Sequence, residues 1–140
     1  MNLRDRVIKH EGYRDTVYRD SLDKRTVGVG HLCVEDFWED DKKYDKEFLM
    51  KILDEDLEKA NQGAIKVVGH IEDLPRAVWE VVVEMVFQLG PTGVGKFKKF
   101  IKALEEKNYF EAHVQMLDSR WYKQTPERCG SLSEIVKSHA

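Results

Sequence analysis

The sequence predicts an α+β domain that is mostly α-helical, with one small antiparallel β element near its N-terminus. Three observations lead there. Apolar residues recur at three- and four-residue spacing along most of the chain, which gathers them on helix faces. Two β-branched and aromatic runs, 16–20 (TVYRD) and 26–29 (TVGV), flank a polar SLDKR and so read as a hairpin. The chain has 140 residues, enough to bury roughly two thirds of its unfolded surface around a core of its own.

The elements follow in order. Leu3, Val7 and Ile8 share one face of a first helix over 1–11, with Asn2 as its cap and Gly12 as its left-handed end. The hairpin comes next. A long helix is expected from Asp45, its cap, to about residue 68, on the spacing of Phe48, Leu49, Ile52, Leu53, Leu57 and Ala60. Pro75 suits the first turn of the next helix. Its body, AVWEVVVEMVFQLG, is apolar nearly all round and reads as a central buried helix closed by Gly90. Glu80 and Glu84 are expected on one exposed stripe of it. Two helices fit about 96–107 and 109–118, and Thr125 with Pro126 reads as the cap and first position of a last one.

Composition narrows the function classes. Hydrophobic residues make up 41% and charged residues 35%, a globular rather than a disordered mix. The longest apolar run falls well short of the roughly 20 residues of a membrane span. The N-terminus carries Arg4, Asp5, Arg6 and Lys9 with no apolar stretch behind them, so no signal peptide is expected. Cys33 and Cys129 are the only cysteines. They exclude a disulfide scaffold and a zinc module of paired CxxC motifs, and they are expected as reduced thiols of a cytosolic protein. The net charge is −3, and the stretch 35–58 holds 11 acidic against 4 basic residues. Nucleic-acid binders show a basic excess on one face. Lys96, Lys98, Lys99 and Lys102 are the only basic cluster, and a solvated helix face accounts for them. No metal or cofactor is expected, because no second histidine stands at metal spacing from His31.

Glu11 is the first residue to break a local rule. It ends a helix, where unpaired carbonyls form a partly negative pole that disfavours a carboxylate. Such a position is either a costly surface glutamate or the seat of a proton donor. Asp20 lies nine residues later at the end of the first strand, where aspartate is also a common turn former. Two carboxylates in different settings can divide into an acid and an ionised base, as glycosidic cleavage requires. Gly28 and Gly30 either let a ligand approach the backbone or mark a bulge. His31 is expected as a structural histidine paired with an acid, with Asp56 the candidate. Gly90 to Phe97 matches a phosphate-binding loop at all but its last position, where Phe97 replaces Ser or Thr. No strand is expected before it, so an interhelix turn is the better reading and nucleotide binding a distant one. Trp121 and Tyr122 either stack on sugar faces or, as is commoner for an aromatic pair, belong to the core.

Five blocks in register resemble the phage-type lysozymes, the muramidase endolysins of tailed phages. They are His10-Glu11-Gly12, Tyr18-Arg19-Asp20, Thr26 to Leu32, Met85 to Gly90 with Thr92 to Val94, and Ser119 to Pro126 with Arg128. The resemblance implies a lysozyme-like two-lobed fold: a small antiparallel sheet in an N-terminal lobe (about 12–58), a connecting helix (about 45–68) and a helical C-terminal lobe (about 69–140, joined by helix 1–11). It implies hydrolysis of the β-1,4 bond from N-acetylmuramic acid to N-acetylglucosamine in peptidoglycan, with inversion. Glu11 is then the general acid, Asp20 the base or stabiliser, and Thr26 a positioner of the attacking water. Leu32, Phe87, Gln88, Phe100, Gln115 and Trp121 fall where substrate is bound. Arg128 falls where an arginine stands beside the catalytic glutamate, and His31 with Asp56 where an ion pair supports the fold. The resemblance also implies a monomer in the host bacterial cytoplasm that reaches the wall through a holin-type membrane opener. A catalytically silent wall-binding or phage structural module of the same fold is the alternative. Retention of Glu11, Asp20 and Thr26 together favours the enzyme.

Overall fold

The computed structural model describes residues 1–140. The elements run α1 (Leu3–Glu11), β1 (Arg14–Arg19), β2 (Arg25–Gly28), β3 (His31–Leu32), α2 (Lys46–Val68), α3 (Arg76–Gly95), α4 (Lys98–Glu105), α5 (Tyr109–Leu117), α6 (Arg120–Gln124) and α7 (Pro126–Lys137). The architecture is therefore the expected one, mostly helical with a small antiparallel sheet. The chain divides into two compact units, Met1–Lys59 and Ala60–Ala140.

In the first unit, α1 starts as its sequence dictates. The Asn2 side chain accepts the Asp5 N–H at 2.8 Å, and Gly12, at φ 78°, sends its N–H back to the Ile8 carbonyl. Helix α1 lies in this unit, where Arg4 Nε meets Asp54 Oδ1 of α2 at 2.8 Å. The sheet has the order β1-β2-β3, antiparallel throughout. Tyr18 faces Thr26, Thr26 faces Leu32, and Val27 faces His31. Between Arg14 and Tyr18 the register slips, a bulge in β1.

Side chains alternate across a strand, so Val17 and Val27 point to the face opposite Tyr18 and Thr26. That face is covered by a core of Val27, Trp38 and Leu49, with Val17, Cys33, Tyr44 and Ile52 packed against it. The acidic segment before α2 supplies much of this core. Trp38 lies edge-on to Tyr44, with ring centres 4.8 Å apart, and also meets Phe37 and Phe48. Asp45 caps α2 weakly, its Oδ2 3.4 Å from the Phe48 amide.

In the second unit, α3 is buried on most sides, as its apolar body requires; Val78, Val81, Val82 and Met85 are fully covered. The helical path breaks at Gly90 (φ 79°) and resumes through Pro91 to Gly95. The Gly63 position of α2 shows how closely two backbones approach. A Cβ there would stand 2.7 Å from Val86 Cγ1 and 3.3 Å from Pro91 Cβ.

Two expectations are corrected here. Glu84 is not on an exposed stripe but is completely buried. Its Oε2 accepts Arg128 Nε of α7 at 2.9 Å, a partner 44 residues away that a helical wheel does not contain. Thr125 precedes α7 but its side chain does not cap it; the hydroxyl turns back to the Trp121 carbonyl at 3.3 Å. Between α5 and α7 lies the five-residue α6, capped by Ser119 Oγ on the Tyr122 amide.

Candidate active site

Glu11 is the last residue of α1, half-buried, and its carboxylate lies against the turn between β2 and β3. Gly30 sits in that turn at φ 66°. A Cβ at Gly30 would stand 2.7 Å from Glu11 Oε1 and 2.9 Å from its carboxyl carbon. The glycine thus serves twice, for a left-handed backbone and for the close seat of the carboxylate. Gly28, at φ 64°, is approached by Leu49 instead, at 3.4 Å. The close approaches expected at these two glycines are made by the chain's own side chains.

Asp20 follows β1 and organises the turn into β2. Its Oδ1 accepts the Leu22 and Lys24 amides at 2.8 and 2.9 Å, and its own N–H donates to the Lys24 carbonyl at 3.0 Å. Both side-chain bonds converge on Oδ1, so the turn fixes the carboxylate without using Oδ2 in them. Thr26 is 3% exposed and donates its hydroxyl proton to the Lys24 carbonyl at 2.9 Å. A carbonyl can only accept, so the lone pairs of Thr26 Oγ1 remain as acceptors.

Directly opposed residues share a sheet face, so Tyr18, Thr26 and Leu32 form one row across three strands. Leu32 is 42% exposed, a surface that an apolar sugar face can cover. Arg14 lies over the Tyr18 ring, 4.6 Å from its centre. Burial, and then the charge of Glu11, push the Tyr18 hydroxyl above its ordinary value; Arg14 opposes them and Asp20 adds to them. Both carboxylates therefore act on one phenol, which stays protonated.

His31, opposite Val27, has a structural setting. Its Nδ1 meets Asp56 Oδ2 of α2 at 2.7 Å, and its Nε2 meets Glu35 Oε1 at 2.9 Å. The same Glu35 oxygen accepts Trp38 Nε1 at 2.7 Å. The bond to Asp56 holds His31 above its ordinary value against the pull of burial, with Glu35 adding to it. Glu35 is lowered in turn, chiefly by the Trp38 N–H and then by His31. Both ring nitrogens then donate. Glu35 and Trp38 were not read from the sequence, although they follow His31 by four and seven positions.

The remaining expected residues lie in the second unit. Gln88 of α3 is tied at both ends of its amide: Oε1 accepts Trp121 Nε1 at 2.9 Å and Nε2 donates to Thr125 Oγ1 at 3.3 Å. Phe87 beside it is half-buried. Trp121 is 2% exposed and Phe100 is 1% exposed, so both rings are packed into the core. They pack edge-on to Phe97. Gln115 is partly exposed and donates to Glu111 Oε1 at 2.7 Å. With Leu89, Phe97 and Arg120 it borders a hollow of about 520 Å³ whose floor is apolar. Arg128 is 8% exposed, held by Glu84.

No three His, Cys, Asp or Glu side chains converge as metal ligands. Both cysteines are free thiols, and burial pushes Cys129 up to about 12. The phosphate-loop lookalike is a helical run that follows a helix, without the strand such a loop requires. No helix is long and apolar enough to cross a membrane.

Comparison with known proteins points the same way. A family model described as phage lysozyme matches residues 8–135. The chain is 26% identical to a probable T4-type lysozyme 2 of Dictyostelium discoideum, covering 98% of this chain and 94% of that protein. It is 26% identical to the pre-baseplate central spike protein Gp5 of Enterobacteria phage T4, over 97% of this chain and 28% of the spike protein. The peptidoglycan hydrolase gp36 of Pseudomonas phage phiKMV is likewise 26% identical, over 99% of this chain and 15% of its own.

Proposed function

The chain belongs to the phage lysozyme family and is a glycoside hydrolase of the lysozyme type that acts on peptidoglycan; from that premise we propose that it cleaves the β-1,4 bond between N-acetylmuramic acid and N-acetylglucosamine with inversion at the anomeric carbon. The observation that supports this reading is the seating of two carboxylates in different settings of the sheet-bearing unit, Glu11 at the end of α1 against Gly30 and Asp20 in the turn after β1.

On this reading Glu11, at the negative pole of α1, gives its proton to the glycosidic oxygen as the bond breaks. Asp20 takes a proton from the attacking water. Its Oδ1 is committed to two amides, so Oδ2 is the basic atom. Thr26 accepts the other hydrogen of that water, since its own is given to the Lys24 carbonyl. The water's lone pair then faces the anomeric carbon from the side opposite the leaving oxygen. Inversion needs room for that water, a carboxyl separation of roughly 6.5–9.5 Å. Leu32 packs beneath a sugar ring. By the resemblance, Phe87, Gln88 and Gln115 of the second unit are further candidates for substrate contact, and within that unit Trp121 fixes the Gln88 amide. The enzyme works as a monomer and reaches the wall from the host cytoplasm through a holin-type opener.

Digestion of peptidoglycan followed by proton NMR of the first product tests the reading. The expected product is a new muramic-acid reducing end released as the α anomer. A β anomer contradicts the roles given to Asp20 and Thr26. Wall binding without any new reducing end favours the catalytically silent module.

A further inference from the structure

We propose that Tyr18 is a substrate-contacting residue, its hydroxyl donating a hydrogen bond to the sugar held between Glu11 and Asp20. The inference rests on the hydrolase reading of the site. Four observations lead to it. Tyr18 stands directly opposite Thr26 and in the same cross-strand row as Leu32, on the sheet face away from the core of Val27, Trp38 and Leu49. It precedes by two positions Asp20, which starts the turn directly after β1. The bulge between Arg14 and Tyr18 breaks the register, and a bulge re-aims the side chains that follow it. Arg14 then covers the ring at 4.6 Å, a contact that uses the face of the phenol and not its hydroxyl.

The chemistry suits the place. A phenol raised above its ordinary value by burial and by the charges of Glu11 and Asp20 is a neutral donor, and it adds no third negative charge. Sugars present hydroxyl and acetamido oxygens that accept such a bond. The stacked guanidinium limits the ring's rotation, so less freedom is lost when substrate arrives.

Tyr18→Phe removes the hydroxyl and keeps the ring and its Arg14 contact. Tyr13→Phe, an exposed phenol of the same unit, is the control. The expected result for Tyr18→Phe is a loss of about tenfold in kcat/KM on peptidoglycan, the worth of one neutral hydrogen bond. The loss falls on KM, and the melting temperature stays at the wild-type value. In a Glu11→Gln background, affinity for a muramic acid–glucosamine oligosaccharide, measured by calorimetry, falls by the same factor when Tyr18→Phe is added. Unchanged affinity in that pair overturns the proposal, whether or not rate or stability changes. Should the wild type fail to cleave while Tyr18→Phe still weakens oligosaccharide binding, the hydrolase reading falls and Tyr18 stands as a sugar contact.

Discussion

The carboxylate of Glu11 rests against Gly30, so close that a methyl group on the glycine would stand 2.7 Å from Oε1. A helix end and a β turn thereby fix one acid from two sides. Substituting the turn residue should disturb the chemistry without touching a reacting group.

Gly30→Ala meets two costs. The backbone stands at φ 66°, where an L side chain loses about 1–2 kcal/mol. The new methyl also displaces the Glu11 side chain, whose flexible end gives way. Stability should fall by about 1–2 kcal/mol in urea unfolding, and the clearing rate by about a hundredfold, as for other misplacements near 1 Å. Clearing reduced no more than stability alone explains would detach Gly30 from catalysis.

Gly63→Ala should reverse the usual helix rule. At an open helix site alanine is better than glycine by about 1 kcal/mol. Here the added carbon meets Val86 Cγ1 at 2.7 Å in a packed interior. A loss of about 1–3 kcal/mol is expected, the range for overpacking. Val86→Ala should restore part of it in the double variant, read by denaturant unfolding. A stabilised Gly63→Ala would show that the two helices part without penalty.

The His31 network should make stability depend on pH with a definite sign. His31 is raised above its ordinary 6.5 in the folded state. Its contribution is therefore complete below 6.5 and is lost as pH rises through the folded value. Glu35 is lowered below 4.5, so its contribution is present above 4.5 and is lost as pH falls through its folded value. Unfolding free energies from pH 3 to 9 should thus decline on both sides of an intermediate plateau. His31→Asn should flatten the alkaline decline. An alkaline slope identical in His31→Asn and wild type would assign it to another group.

Glu84→Ala should be costly although the residue sits in a charged-looking stripe. It removes the buried carboxylate that accepts Arg128 Nε at 2.9 Å, at an arginine only 8% exposed. Breaking a buried pair costs about 3–5 kcal/mol, where a surface glutamate would cost about 0.5 kcal/mol or less. Chemical denaturation separates the two.

These cases also mark what was legible in the sequence. Signals carried by neighbouring residues held: the Asn2 cap, the Gly12 end, the break at Gly90 and the long helix after Asp45. Glu11 ending a helix and Asp20 following a strand were likewise local. Partners far apart in sequence were hidden. Glu84 and Arg128 lie on different helices, so the i, i+4 relation of Glu80 and Glu84 suggested solvent. The acidic charge around Trp38 masked a small core, in which that ring, 4% exposed, packs with Tyr44, Val27 and Leu49. Strand β3, two residues long, and α6, five, are too short for any period to register.

The most direct measurement is the clearing of a peptidoglycan suspension by Glu11→Gln, an isosteric change that removes the transferable proton. The proton-donor role predicts a rate at least about a thousandfold below wild type, within the span that general acid catalysis supplies, with the melting temperature no lower. Clearing at the wild-type rate by a folded Glu11→Gln protein would contradict it.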